Sequence, residues 1–136
     1  MENSNKNNLS GQLVGGCLSL IVSLIGTPYF PDLKNALLFI EDVGEEPYKI
    51  DRMLTQLEQA GIFSKIKGLI FGHFEKCFAR DEKDGTIEQL IDTWQKKLYP
   101  LPVMKGLSYG HYSETEIFPI GKNVVISTQK QNLSTK

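Results

Sequence analysis

The chain has 136 residues, of which 40% are hydrophobic and 23% are charged, and this is the size and composition of one soluble globular domain. Its 15 basic and 16 acidic residues leave a net charge of −1, without the basic excess of most nucleic-acid-binding proteins, so no nucleic-acid partner is expected. The longest apolar stretch, residues 18–25, is too short to span a bilayer, so no membrane partner is expected either.

Cysteine content and the two ends of the chain bear on its compartment. Cys17 and Cys77 are too few for a disulfide framework and lack C-x-x-C spacing. Residues 1–10 are polar and Asn-rich, without the apolar core of a signal peptide. We therefore expect a reduced, cytoplasmic protein. Residues 1–10 and 129–136 are predicted to be disordered, which leaves 11–128 as one domain.

The first half of the chain alternates strand and helix patterns. Residues 11–16 predict a strand that enters a tight turn, and the apolar segment 17–25 predicts a short buried helix. The apolar run within 35–41 predicts a strand buried on both faces. Pro47 suits a first helical position and Gly61 suits the residue after a helix, so an amphipathic helix is predicted between them. Its apolar positions are Ile50, Met53, Leu54 and Leu57.

The second half begins in the same way and then becomes richer in strands. Residues 67–74 predict a buried strand, and a second amphipathic helix follows. Val103 and Met104 predict a short strand, and residues 116–119 and 123–127 predict a closing hairpin. This order predicts an α/β domain with a mixed sheet. The apolar positions of the second helix are Ile87, Leu90, Ile91, Trp94 and Leu98.

Several distinctive short segments run along the chain. They are Gly15-Gly16-Cys17-Leu18-Ser19-Leu20, Gly26-Thr27-Pro28-Tyr29, Phe39-Ile40-Glu41-Asp42-Val43-Gly44-Glu45, Tyr48-Lys49-Ile50-Asp51-Arg52-Met53-Leu54, Gly68-Leu69-Ile70-Phe71-Gly72, Gly106-Leu107-Ser108-Tyr109-Gly110-His111 and Phe118-Pro119-Ile120-Gly121. In this order they resemble the C-terminal domain of the LD-carboxypeptidase family, which includes muramoyl-tetrapeptide carboxypeptidases and microcin-immunity serine peptidases. The resemblance covers about residues 11–127.

The resemblance implies a function and a site. Members of the family use a Ser-Glu-His triad, and by motif position Glu41 matches the acid and His111 the base. The serine belongs to an N-terminal nucleophile domain that nothing in this sequence matches. The substrate implied is a murein tetrapeptide, whose C-terminal D-amino acid is removed in peptidoglycan recycling. The resemblance also implies a swivelling β/β/α domain, a homodimer for the complete enzyme, and no metal or organic cofactor.

Two alternatives stay open. The substrate could be an aminoacyl-nucleotide antibiotic, as for the immunity peptidases. The chain could instead be a truncated or split-gene module that is catalytically incomplete and only binds muropeptide or pairs with a nucleophile-bearing chain. Cys17 also stands where the family usually has Asn, which removes an amide able to donate and accept hydrogen bonds next to the site.

Taken alone, the two candidate residues permit structural interpretations too. Glu41 lies at the end of a predicted strand, where its carboxylate could orient a histidine or could accept hydrogen bonds from Val43 or Gly44 in the turn. His111 lies in a loop, where it could act as a general base or bond to backbone. If the triad assignment holds, the two side chains lie close together.

Other polar residues invite weaker hypotheses. His73 fits a partly exposed histidine at a strand end, and a zinc site from His73, His111, Cys77 and Cys17 is disfavoured by their spacing. The apolar neighbours of Cys17 favour an inert thiol over a nucleophile.

A missing N-terminal domain would also leave its docking surface uncovered. We therefore expect an exposed apolar patch around Leu13, Leu18, Tyr29 or Tyr109, with self-association through it.

Overall fold

One mixed six-stranded sheet with three helices organises the chain. The computed structural model describes residues 8–106, 118–127 and 132–135. In chain order, the elements are β1 (Asn8–Cys17), α1 (Leu18–Ser23), β2 (Leu37–Val43), α2 (Pro47–Gln59), β3 (Gly68–Glu75), a 3-10 turn (Glu82–Asp84), α3 (Ile87–Leu98), β4 (Val103–Met104), β5 (Asn123–Ser127) and β6 (Asn132–Thr135).

Strand β1 joins a parallel half of the sheet to an antiparallel half. The strand order is β4-β3-β2-β1-β5-β6. Residues 13–17 of β1 pair in parallel with β2, and β2, β3 and β4 continue in parallel. Residues 8–12 of β1 pair with antiparallel β5, which pairs with antiparallel β6. The predicted α/β class with a mixed sheet, two main amphipathic helices and a C-terminal hairpin is confirmed.

The two long helices begin and end close to where the sequence predicts. Pro47 occupies the first turn of α2, and Gly61, with φ 71°, follows the C-cap residue Ala60. At the start of α3, Thr86 and Gln89 form a reciprocal capping box. None of the helices in the described ranges is long and apolar enough to cross a membrane.

Both faces of the sheet are covered. The helices cover one face, and the curled hairpin end of the sheet covers the other. Leu18 belongs to the first core and Leu13 to the second, and both are fully buried, so the prediction that they form an exposed apolar patch is wrong. Tyr29 is exposed, and Tyr109 lies outside the described residues. The first core includes Leu38, Ile40, Leu54, Leu57, Phe71 and Trp94, and the second Leu37, Phe39, Ile70, Val124 and Ile126.

The C-terminal hairpin has a different first strand from the predicted one. It consists of β5 and β6, whereas Phe118 and Pro119 are not in a strand and residues 116–117 lie outside the described ranges. The ring of Phe118 packs edge-on against Phe39 with centroids 4.5 Å apart, so this segment contributes to the core instead. Gly121, with φ 85°, then turns the chain into β5.

Strand structure extends into both terminal segments for which composition predicts disorder. Strand β1 begins at Asn8, and β6 occupies 132–135. Both pair with β5, so backbone hydrogen bonds order polar residues that have little apolar surface to bury.

Candidate active site

The carboxyl ends of β1, β2 and β3 meet at one edge of the sheet. Such an edge is where open α/β sheets usually bind ligands. Glu41 lies there, near the end of β2, and is only 5% exposed. Burying a carboxylate to this degree is costly unless it is partnered, and Glu41 is not without a partner. The strand-end position predicted for Glu41 is therefore correct.

Neighbouring strands place two further residues beside Glu41. Its register partner on β1 is Cys17. On β3 the register shifts between the pairs Ile40–Phe71 and Asp42–Phe74, so Gly72 and His73 together lie opposite Glu41. This is a β-bulge, a feature that often re-aims side chains next to active sites.

Alternation along β2 assigns Glu41 to a face of the sheet. Successive side chains point to opposite faces, so Glu41 shares the face of Phe39. Phe118 packs on Phe39 and directly follows the segment that contains His111. His111 itself lies outside the described residues, so its expected closeness to Glu41 stays a prediction.

Asp42 points to the opposite face and caps the turn after β2. Its Oδ2 accepts a 2.9 Å hydrogen bond from the Ser19 amide, and its Oδ1 accepts one of 2.9 Å from the Val43 amide. The Gly44 amide donates to the carbonyl of Glu75. The Val43 and Gly44 amides therefore donate to groups other than the Glu41 carboxylate. Sequence reasoning missed Asp42, whose adjacency to Glu41 was the available signal.

His73 pairs with Glu75 on the exposed side of the same edge. Nε2 of His73 lies 2.7 Å from Oε2 of Glu75, and both side chains are partly exposed, as the strand-end prediction for His73 requires. The pair lines a cavity of about 520 Å³ whose wall includes the exposed ring of Phe78. A pocket lined by both polar and apolar side chains thus adjoins the edge that carries Glu41.

The two cysteines differ in environment. The Cys17 thiol, which is half-buried, contacts Ser19 Oγ at 3.2 Å and Asp42 Oδ1 at 3.5 Å. Cys77 is buried, and burial raises the pKa of its thiol. Both are free thiols. Among the residues that the structure describes, no group of three or more His, Cys, Asp or Glu side chains could hold a metal ion.

Comparison with known proteins identifies the family. Residues 10–126 match the family described as LD-carboxypeptidase C-terminal domain. The chain belongs to this family. It is 38% identical over 122 residues to the "Probable murein peptide carboxypeptidase" of Bacillus subtilis, covering 89% of this chain and 38% of that protein. It is 26% identical over 127 residues to the microcin C7 self-immunity protein of Escherichia coli, covering 93% of this chain and 36% of that protein.

Solved structures of LD-carboxypeptidase relatives share the fold. A muramoyltetrapeptide carboxypeptidase from Oxalobacter formigenes superimposes with a TM-score of 0.83 at 32% identity, covering 93% of this chain and 44% of that one. The microcin C7 self-immunity protein superimposes with a TM-score of 0.82, but at 21% identity this likeness shows the fold alone. The chain thus spans about two-fifths of the length of the relatives that it matches.

One serine-containing pattern in this LD-carboxypeptidase domain escaped the sequence reasoning. The string Gly106-Leu107-Ser108-Tyr109-Gly110 fits the G-x-S-x-G spacing of a nucleophile elbow. An elbow places its serine directly between a strand and a helix, whereas β4 ends at Met104. Ser108 lies outside the described residues, and the string belongs to the segment that resembles the family's histidine loop.

Proposed function

We propose that this chain supplies the Glu and the His of a Ser-Glu-His triad in a serine LD-carboxypeptidase that removes the C-terminal D-amino acid from murein tetrapeptides. One observation carries the proposal: Glu41 is a buried carboxylate at the carboxyl end of β2, in a chain matched to the family across residues 10–126. Names of relatives that include murein peptide and muramoyltetrapeptide carboxypeptidases support this substrate class.

The chemistry follows the usual division of labour in a triad. A serine hydroxyl from the nucleophile domain attacks the carbonyl before the terminal D-amino acid, and His111 takes its proton. Glu41 orients the imidazole and stabilises its positive charge. His111 then protonates the leaving amine, and an acyl-enzyme forms. Water, deprotonated by His111, attacks this ester and releases the shortened peptide and the free serine.

The setting proposed with this activity is a cytoplasmic one, in peptidoglycan recycling, with the complete enzyme a homodimer. Both cysteines are free thiols, which fits a reducing compartment. The nucleophile domain and the muropeptide are the proposed partners.

A mixing experiment tests the proposed function. D-alanine release from a murein tetrapeptide is measured with this chain alone, and with this chain plus the N-terminal remainder of the Bacillus subtilis relative. We expect release only in the mixture, with a loss of about 100-fold or more in His111→Ala and in Glu41→Gln. His73→Ala, which removes a histidine of the same edge, is the matched control and should retain activity.

Other outcomes of this experiment would contradict the proposal. Release by the chain alone that disappears in Ser108→Ala would make Ser108 the nucleophile. A mixture that associates but stays inactive would favour the alternative of a catalytically incomplete module. Cleavage of an aminoacyl-nucleotide substrate in place of the tetrapeptide would favour the immunity-peptidase alternative, which the similarity to the microcin C7 self-immunity protein supports.

A further inference from the structure

The most deeply buried charged side chain of the described residues has no role in the triad chemistry above. Asp42 is 2% exposed and directly follows Glu41. A buried carboxylate is costly unless its lone pairs are used in hydrogen bonds. Its partners therefore indicate what its burial achieves.

On one side, the Asp42 carboxylate binds the start of α1. The Ser19 amide that donates to Oδ2 lies in the first turn of α1, where backbone N–H groups have no acceptor within the helix. Oδ1 accepts from the Val43 amide and from the thiol of Cys17, the register partner of Glu41. Three donors, from β1, α1 and the end of β2, thus meet at one carboxylate.

On the other side, the backbone around Asp42 is bound to β3 and the residues after it. The Cys77 sulfur lies 3.8 Å from the Asp42 carbonyl oxygen and 3.5 Å from that of Glu75, and the Gly44 amide donates to the Glu75 carbonyl at 2.9 Å. The segment that carries Glu41 is therefore held both by α1 and by the end of β3. Its backbone position depends on contacts made by the next residue.

An amide could not replace the carboxylate in this arrangement. Ser19 and Val43 donate to different oxygens of Asp42, so both oxygens must be acceptors. An asparagine offers one acceptor oxygen and would turn its NH₂ group towards the second donor. Asp42→Asn thus keeps nearly the same shape but loses one of the two hydrogen bonds that the Ser19 and Val43 amides donate to this side chain.

We propose that Asp42 is a positioning residue, which holds the junction of β1 and α1 against the end of β2 and so fixes the backbone from which Glu41 reaches the triad histidine. The proposal rests on the proposed function, since it assigns Asp42 a part in that reaction. It predicts that losing one acceptor at Asp42 misplaces the Glu41 carboxylate while substrate binding persists.

The kinetic test uses the mixture described above. For Asp42→Asn we expect kcat to fall about tenfold or more with KM within about twofold of wild type. Asp32→Asn removes the same charge at an exposed turn and should leave both constants unchanged. Unchanged kcat in a folded Asp42→Asn chain would overturn the proposal, as would an equal effect of Asp32→Asn.

An inactive wild-type mixture would count against the proposed function but would not test the role of Asp42. Two measurements on the chain alone test that role independently. The first is the ¹³C resonance of the Glu41 carboxyl, assigned by its absence in Glu41→Gln. It should move in Asp42→Asn and stay in Asp32→Asn. The second measurement is hydrogen exchange of the Ser19 amide in the wild type, which remains possible if Asp42→Asn does not fold. This amide should exchange with solvent as slowly as the amides of β2. A resonance that stays put, or a Ser19 amide that exchanges as fast as an unbonded first-turn amide, would overturn the proposal.

Discussion

The indole Nε1 of Trp94 donates a 2.7 Å hydrogen bond to Oδ1 of Asp51, which joins α3 to α2. Trp94 is 2% exposed, so its indole N–H has lost its water and depends on this acceptor. A hydrogen bond to a charged acceptor is among the stronger ones in proteins.

Replacing the acceptor should therefore destabilise the domain. We expect Asp51→Ala to lower the free energy of unfolding by about 1.5–3 kcal/mol, because a buried donor is left unpaired. The matched control is Glu58→Ala, which removes the exposed ion pair with Lys97 and should cost about 1 kcal/mol or less. Urea denaturation of both variants measures the difference, and equal losses would contradict the assignment of the Trp94 bond.

The end of β1, just before α1, depends on two successive glycines in unequal ways. Gly15 and Gly16 have φ angles of 145° and 149°, which side chains rarely adopt. A Cβ on Gly15 would also overlap the carbonyl of Phe39, whereas a Cβ on Gly16 would meet no atom within 4 Å. Gly16→Ala should cost about 1–3 kcal/mol from strain alone, and Gly15→Ala more than about 4 kcal/mol. Thermal unfolding of the two variants checks this order. A Gly16→Ala variant that is less stable than Gly15→Ala would contradict it.

The buried thiol of Cys77 should make stability depend on alkaline pH. Burial raises its pKa above the ordinary value of 9.0, and this outweighs the amides of Glu45 and Gly44, which act in the opposite direction. As the pH rises past 9.0, the unfolded chain loses the thiol proton before the folded chain does, so stability falls. Urea denaturation measures the free energy of unfolding at about pH 7.5 and about pH 9.5. Between these two pH values it should fall less in Cys77→Ala than in Cys17→Ala. An identical loss in the two variants would exclude this contribution.

Anchoring of the segment before Phe118 should affect activity. Phe118→Leu keeps an apolar side chain and loses the edge-on contact with Phe39, which we expect to cost about 0.5–1.5 kcal/mol. We expect kcat of the mixture to fall, because Phe118 holds one end of the segment that carries His111. Phe63→Leu loses a comparable ring contact with Trp94 among the helices and should leave kcat unchanged. Equal kinetic effects would mean that ring loss acts through general stability.

Much of the local structure could be predicted from the sequence, because local signals specify it. Pro47 and Gly61 bound α2, and the 35–41 apolar run became β2 (Leu37–Val43). Pairing between distant segments had no such signal. The hairpin partner of β5 is a polar stretch, 132–135, that composition alone could not distinguish from a disordered tail.

The candidate site was predictable to a similar degree. The motif around Glu41 made that residue a candidate, and its place at a strand end followed from the preceding apolar run. Asp42 could not be predicted in the same way, because its role depends on a hydrogen bond from the Ser19 amide, and a sequence pattern does not show which backbone amides need an acceptor. The bulge that sets Gly72 and His73 opposite Glu41 likewise depends on strand register.

The sharing of β1 between two halves of the sheet makes the C-terminal hairpin a protective cover. Without β5, the backbone of residues 8–12 would become an open edge strand, with unpaired N–H and C=O groups available to another chain. The same loss would uncover Leu13, which packs with Val124 and Ile126. We therefore expect a chain shortened before β5 to self-associate through exposed backbone and apolar surface. This would happen even though every residue of the Glu41 edge would still be present.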